Sequence, residues 1–349
     1  MSKNGAFMLK VSAIYPQSKI VTGYGNYANR LFKGLSMIPN IAVEKWPVNK
    51  IEISAFGKPL FGSISQTFGS KLVKPSGDIV HSLTPGVISR KTDIVTLHDI
   101  VPLLLQNEFA NSFYRRQGYK RLFSSIGNVK YLIVFTEIAR KEVIERLNVE
   151  KDKVFVVPQS VDHTIFFREN DNNLKENGKR LILAVGDLNP RKRFDILFKA
   201  VKGREDLQVV HLGPENSWSK QKDLLEDRIK DQTNVKMLGP VDNNILRHYY
   251  STADLFVHLS EAEGFASPTV EAMACGTNVL VNDLPLFHET LGDMASYTTL
   301  NPEDVINAID AALMNKKSSE DLIKYTQKYS IKQMGENTAN VYYTALGMK

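Results

Sequence analysis

The chain has 349 residues, 43% hydrophobic and 23% charged, ordinary globular values that exclude wholesale disorder and collagen-like or coiled-coil composition and suit about two domains of roughly 100–200 residues. The longest apolar stretches, such as residues 94–105, are broken by His98, Asp99 and Pro102, so none approaches the ~18 residues of a spanning helix; no secretory leader is legible, which reads as a cytoplasmic N-terminus, and the single Cys275 excludes an internal disulfide or a Cys-rich metal site. Net charge is +6 but uneven, with 23 Lys+Arg against 13 Asp+Glu in residues 1–170 (+10) and 21 against 25 in residues 171–349 (−4), so the first half suits nucleic acid, an anionic membrane, an anionic small molecule or simply a solvated lysine-rich surface.

Short β-branched runs alternate with amphipathic stretches, the pattern of βαβ units around a parallel sheet. Residues 10–15 predict a strand, 27–35 a helix and 41–47 a strand; 79–81, 94–97, 131–135 and 154–157 read as further buried strands. The Asn-rich, aperiodic stretch 169–180 reads as a linker, after which the cycle restarts. Residues 181–185, 207–212, 235–238, 255–258 and 278–281 predict a second sheet, with helices over 194–201 and 244–252. The expected class is α/β: two Rossmann-like, doubly wound parallel-sheet domains, 1–168 and 169–329, facing a central cleft.

Four segments carry residues suited to chemistry. In residues 261–276, EAEGFASPTVEAMACG, Ser267 reads as an N-cap, Pro268 as the first helical residue and Gly276 as the stop. That helix start turns free N–H groups toward whatever lies above Gly264, Phe265 and Ala266, a ready phosphate site. Glu263 and Glu271 are acceptors suited to the vicinal hydroxyls of a sugar or ribose, although a capped helix with two solvated glutamates has the same spacing. Residues 185–195, VGDLNPRKRFD, put Gly186, Arg191 and Lys192 in a loop at a strand's carboxyl end, where ligands of open α/β sheets bind. An arginine fork with a lysine point charge matches a diphosphate; an ordinary surface loop reads equally well. Gly23 and Gly25, in a TGYG turn after the first strand, permit close backbone approach. His98 and Asp99 close the 94–97 strand and read as a base with its orienter or a metal pair, but the other histidines show no metal-ligand spacing. His211 and His258 read as structural imidazoles.

Residues 261–276 resemble the signature E-G-F-x-x-P-x-x-E-A-M-A-x-G of the retaining, nucleotide-sugar-dependent glycosyltransferases of family four, a GT-B group, and meet every fixed position. Residues 185–195 are similar to the family's G-x-L-x-P-R-K-N loop, with Arg193 for the Asn; T-L-H-D at 96–99 and VFVVPQSVD at 154–162 resemble further family segments, and 329–343 resembles the closing helix. The resemblance implies that Glu263 contacts hydroxyls of the transferred sugar, Arg191 and Lys192 hold the donor diphosphate, and the N–H groups of Gly264, Phe265 and Ala266 approach it. It further implies that Glu271 binds the ribose, that Gly23, Gly25 and Gly186 line the donor site, that His98 reaches the sugar, and that a helix over about 330–349 packs back on the first domain. Neither a metal nor a resident cofactor is expected, nor a nucleic-acid partner. The P-R-K loop and H-D pair lean toward the mannosyltransferase-like branch, making GDP-mannose the first donor and UDP-glucose the second, with a glycan, lipid-linked or protein acceptor. An epimerase of the same fold, or a nucleotide-sugar-binding protein without turnover, is the alternative. Residues 111–126, NSFYRRQGYKRLFSSI, read either as a core-packed helix with a basic side or as a peripheral contact with an anionic membrane.

Overall fold

A computed structural model describes residues 7–17, 23–48, 54–55, 58–59, 74–101, 122–123, 126–127, 129–169, 174–176, 178–214 and 219–348. The chain divides into two compact units, Met1–Ser160 with Ile331–Lys349, and Val161–Ser330. The break precedes the aperiodic stretch instead of falling at 168, because residues 161–169 are already tied to the second unit. Val161 bridges Ser330, and Arg247 on a later helix donates to Ile165 O (3.1 Å) and to Glu169 Oε1 (2.6 Å).

In the first unit the described elements are β1 (Leu9–Pro16), α1 (Gly23–Leu35), β2 (Ile41–Val48), β3 (Ser54–Ala55), β4 (Lys58–Pro59), β5 (Ile79–Ser82), β6 (Ile94–Thr96), β7 (Tyr131–Val134), α2 (Glu137–Leu147) and β8 (Val154–Val156). β3 and β4 form a small antiparallel pair; the others make one parallel sheet in the order β2-β1-β5-β6-β7-β8. Its central strands β5, β6 and β7 are buried on both faces, mostly by apolar residues, with His81, Ser82 and Thr96 the buried polar ones. The closing helix Ile331–Ala345 packs on α1 at a pair of glycines: a Cβ on Gly34 would lie 2.5 Å from Ile331 O, and one on Gly335 would lie 2.5 Å from Gly34 backbone. A buried chain of hydrogen bonds locks the same elements together. Tyr342 OH meets His81 Nδ1 (2.8 Å), His81 Nε2 meets Thr96 Oγ1 (2.8 Å), and Thr96 meets Tyr27 OH (3.0 Å).

The second unit runs β9 (Arg180–Val185), α3 (Phe194–Ala200), β10 (Leu207–Leu212), α4 (Ser219–Ile229), β11 (Val235–Met237), α5 (Asn243–Thr252), β12 (Leu255–His258), α6 (Ser267–Ala274), β13 (Val279–Asn282), α7 (Pro285–Leu291), β14 (Ser296–Thr298), α8 (Pro302–Met314) and α9 (Ser319–Thr326). Its parallel sheet has the order β11-β10-β9-β12-β13-β14. Ile182, Ala184, Val209, Leu255, Val257 and Leu280 point into one core with α3 and α8. The strand order reverses between β9 and β12, so the loops leaving these neighbours diverge to opposite faces and open a crevice at their carboxyl ends. Edge strand β14, SYT, has no apolar run to announce it in the sequence.

Candidate active site

The loops after β9 and β12 meet at this switch point. The first makes a 3₁₀ turn, Pro190–Lys192, which starts when Asn189 Oδ1 accepts from Arg191 N (3.2 Å). Glu261 N donates to Arg191 O (2.9 Å), stitching the second loop to the first. Arg191 Nη1 then reaches Ser260 Oγ (2.9 Å), Ala262 O (2.5 Å) and Glu263 Oε1 (2.6 Å). Lys192 Nζ donates to the same Oε1 (2.5 Å), and His258 Nε2, at the end of β12, is 3.1 Å from it. One carboxylate oxygen therefore takes three donors, while Oε2 takes none among the described residues. Asn282 Nδ2 holds the second loop from β13 through Ser260 O (3.1 Å).

These groups are nearly dry: the side chains of Lys192, Glu263 and His258 are 8%, 9% and 2% exposed. Burial would raise the Glu263 carboxyl, but the charges of Arg191 and Lys192 hold it well below the usual range, so it is ionised. Burial, reinforced by Arg191, pulls the Lys192 ammonium down against the opposing attraction of Glu263. Burial and the Lys192 charge bring His258 to about 4. It is thus neutral near pH 7, and contact with a carboxylate fixes its proton on Nε2. The cluster of two cations and one anion keeps one positive charge in excess, which suits a further anion.

Backbone strain marks the same place. Among the described residues, positive φ without glycine occurs at Asn40, Asn148, Arg193 (53°) and Ala266 (60°). Asparagine tolerates that region, whereas arginine and alanine adopt it at a cost of about 1–2 kcal/mol. Arg193 ends the turn bearing Arg191 and Lys192, and Ala266 precedes α6. Ala266, not Ser267, is therefore the N-cap, and Ser267 and Pro268 are the first two helical residues. The cause is the preceding turn: Phe265 is buried with its ring 5.1 Å from that of Tyr329, which swings Ala266 into the left-handed region. Gly264 follows Glu263 at the rim, half-buried. Glu271 is not a solvated glutamate; it is buried on α6, with Tyr250 OH 3.4 Å from its Oε2.

Gly186 ends β9 with φ 150° and meets Gly213 at the end of β10, where a Cβ would come 1.8 Å from Gly186 O. The two strand ends thus press together without side chains, and His211 Nε2 donates to Gly186 O (2.9 Å) from beneath.

In the first unit His98 donates through Nε2 to Leu83 O (2.9 Å), its ring 4.6, 4.7 and 5.1 Å from those of Tyr24, Tyr27 and Phe135. Burial lowers it to about 4. Its orienter is this carbonyl, while Asp99 Oδ1 accepts from Val101 N (3.0 Å) and caps the next turn. Gly23 opens α1 without positive φ, and a Cβ there would meet nothing within 4 Å among the described residues. Gly25 sits in the first turn of α1. Thr22 and most of residues 111–126 lie outside the described residues. Sequence reasoning missed His258 and Ser260 as parts of the site; the available signal was a histidine closing the strand five residues ahead of Glu263.

Residues 166–329 match the model of the family Glycosyl transferases group 1. The O-antigen chain mannosyltransferase RfbU of Salmonella typhimurium is 30% identical over 257 residues, 72% of this chain and 69% of that protein. The serotype-specific mannosyltransferase WbdA of Escherichia coli is 22% identical over 71% of this chain and 32% of its own length. Among solved structures, sucrose-phosphate synthase from Thermosynechococcus elongatus superposes with a TM-score of 0.78 at 16% identity, covering 98% of this chain and all of that one. Anabaena HepE in complex with UDP-glucose gives 0.72 at 15% identity, covering 96% of this chain and all of that one. The fold is that of GT-B glycosyltransferases. The chain belongs to the group 1 glycosyltransferases and is an enzyme of the hexosyltransferase class.

Proposed function

We propose that this enzyme transfers a hexose from a nucleoside-diphosphate sugar to an acceptor hydroxyl with retention of configuration. The observation that carries the reading is the convergence of buried Lys192 and half-buried Arg191 on Glu263 at the switch point of the second sheet. The cations receive the donor diphosphate and stabilise the charge that grows on its leaving oxygen as the bond to the anomeric carbon breaks. The N–H groups of Gly264, Phe265 and Ala266 and the start of α6 add partial positive charge beside it. Glu263 Oε2, which has no donor among the described residues, accepts a sugar hydroxyl; buried Glu271 serves the ribose side.

Glycosidases set two carboxylates across the scissile bond, whereas here the charge of Glu263 is bound to two cations and Glu271 is in the same unit. The resemblance to the retaining family implies that no protein nucleophile takes part: the acceptor oxygen attacks the face the diphosphate leaves, and its proton passes to the departing phosphate oxygen. GDP-mannose is the first donor, since relatives are named mannosyltransferases, and UDP-glucose the second, since HepE is described with it. The acceptor is a glycan, lipid-linked or protein hydroxyl; His98, with Gly23 and Gly25, serves the sugar at the carboxyl edge of the first sheet.

The test supplies each donor with glycan and lipid-linked acceptors and measures free nucleoside diphosphate together with product anomeric configuration by NMR. Stoichiometric release with an axial-to-axial outcome is expected for mannose. Inversion, conversion of the nucleotide sugar without acceptor, or binding without release would each overturn the reading.

A further inference from the structure

Glu263 Oε1 depends on three donors, two of which are the cations that the diphosphate would claim. A pyrophosphate diester carries two negative charges against one on Glu263, so Arg191 and Lys192 turn toward it when it arrives. The Lys192 ammonium has three N–H donors on a flexible stem and the Arg191 guanidinium has five, so both can shift. A buried carboxylate stripped of its partners would rotate or take up a proton, since an unpaired buried charge is strongly unfavourable. His258 cannot follow the cations. It ends β12, is 2% exposed, and is held by Phe256 (centroids 6.1 Å apart, nearly parallel) and edge-on by Phe287 (5.8 Å). Being neutral, it is not drawn to the diphosphate as a cation is.

We propose that His258 is a positioning residue for Glu263: its Nε2–H keeps Oε1 fixed when the donor diphosphate takes Arg191 and Lys192, so that Oε2 stays aimed at the transferred sugar. The proposal rests on the reading of Glu263 as the acceptor for a sugar hydroxyl. It separates two roles inside one cluster. The cations hold what every nucleoside diphosphate has, and the His258–Glu263 pair holds what only the sugar nucleotide has.

The experiment compares GDP with GDP-mannose, or UDP with UDP-glucose where that donor is the one turned over, in His258→Leu, His258→Gln and His258→Asn. Leucine fills the space without a donor. Glutamine places an N–H about where the imidazole Nε2–H lies, and asparagine falls one bond short. In His258→Leu the nucleoside diphosphate Kd by titration calorimetry should match wild type, while kcat/KM for the sugar nucleotide falls about 10- to 100-fold, the worth of a hydrogen bond to a charged group. Glutamine should restore most of that loss and asparagine little, a contrast that stands even where leucine impairs folding. Equal losses in nucleoside diphosphate affinity and turnover, a leucine variant as active as wild type, or a glutamine variant no better than asparagine would overturn the role. Failure of the wild-type enzyme to release nucleoside diphosphate from either donor would instead sink the reading of the site, and this role with it.

Discussion

Replacing Lys192 with methionine removes one charge and nearly nothing else, which makes it the cleanest probe of the cation pair. The ammonium is 8% exposed, 2.5 Å from Glu263 Oε1. At an effective dielectric of about 20, a unit charge about 4 Å away attracts it by about 4 kcal/mol, and the cost of burying it is met when the chain folds, not when donor arrives. Loss of such a preorganised donor should therefore cost about 3–4 kcal/mol at the transition state, or roughly 10²–10³ in kcat. Stability should respond differently. Glu263 Oε1 keeps Arg191 and His258 in the variant, and burial already pulls the Lys192 ammonium down, so removing it relieves a desolvation penalty. Tm should move by less than about 2 °C, on the scale of 1 kcal/mol for a chain of this size. Arg191 is a poorer probe because it also ties Ser260 and Ala262. Nucleoside diphosphate release and thermal unfolding, measured on the same preparation, decide the matter. Lys192→Met turnover equal to wild type, or lost activity accompanied by a large fall in Tm, would show that the ammonium does not act on the leaving diphosphate.

Acid should destabilise both units earlier than carboxylate titration would. Burial lowers His81 to about 3 and His98 and His258 to about 4 from an ordinary value of 6.5; below pH 6.5 the unfolded chain binds protons that the folded chain refuses, so stability present above 6.5 falls by about 1.4 kcal/mol per pH unit for each histidine, and denaturant unfolding flat between pH 6.5 and 4.5 would contradict this. Turnover should survive chelation by EDTA, because Arg191 and Lys192 supply the charge that a metal would bring to the diphosphate; complete loss restored by Mg²⁺ or Mn²⁺ would show that a metal shares the work. If residues 111–126 form a peripheral contact with an anionic membrane instead of a core-packed helix with a basic side, the protein sediments with anionic liposomes at low salt and leaves them at high salt; equal partition onto neutral and anionic vesicles, or none onto either, would favour an acceptor free in solution.

Strands were the most legible feature of the sequence. β10 and β12 run Leu207–Leu212 and Leu255–His258 as their patterns predict, because strands buried on both faces admit few polar interruptions. Ends with special backbone were less legible. The Ser-Pro pair predicts a hydroxyl cap, yet α6 is capped by Ala266 in the left-handed region, since burial of Phe265 decides the turn. A side chain's own capping preference is worth about 1 kcal/mol, comparable to the strain Ala266 bears, so tertiary packing can reverse it. For His98 the sequence offers its neighbour Asp99 as orienter, but the partner is Leu83 O, fifteen residues back on the adjacent strand's exit. Chain adjacency is a poor guide there because successive residues leaving a strand point to opposite sides.

The site itself was legible as two motifs and illegible as one object. Arg191 and Glu263 are 72 residues apart, and only the sheet order, with β12 beside β9 while β10 and β11 lie outward, brings their loops together. Once they meet, Glu263 ties the two motifs into one cluster. It pairs with two cations that would otherwise repel each other, one positive charge remaining in excess, and in the function proposed above its Oε2 serves the sugar. That pairing lets Lys192 stay buried and preorganised. It follows that Glu263 is the wrong residue to truncate in isolating the chemistry, because its loss leaves two unpaired cations and damages the fold along with the reaction. Lys192 and His258 each leave the remaining charges paired, so their substitutions read out the diphosphate and the sugar separately.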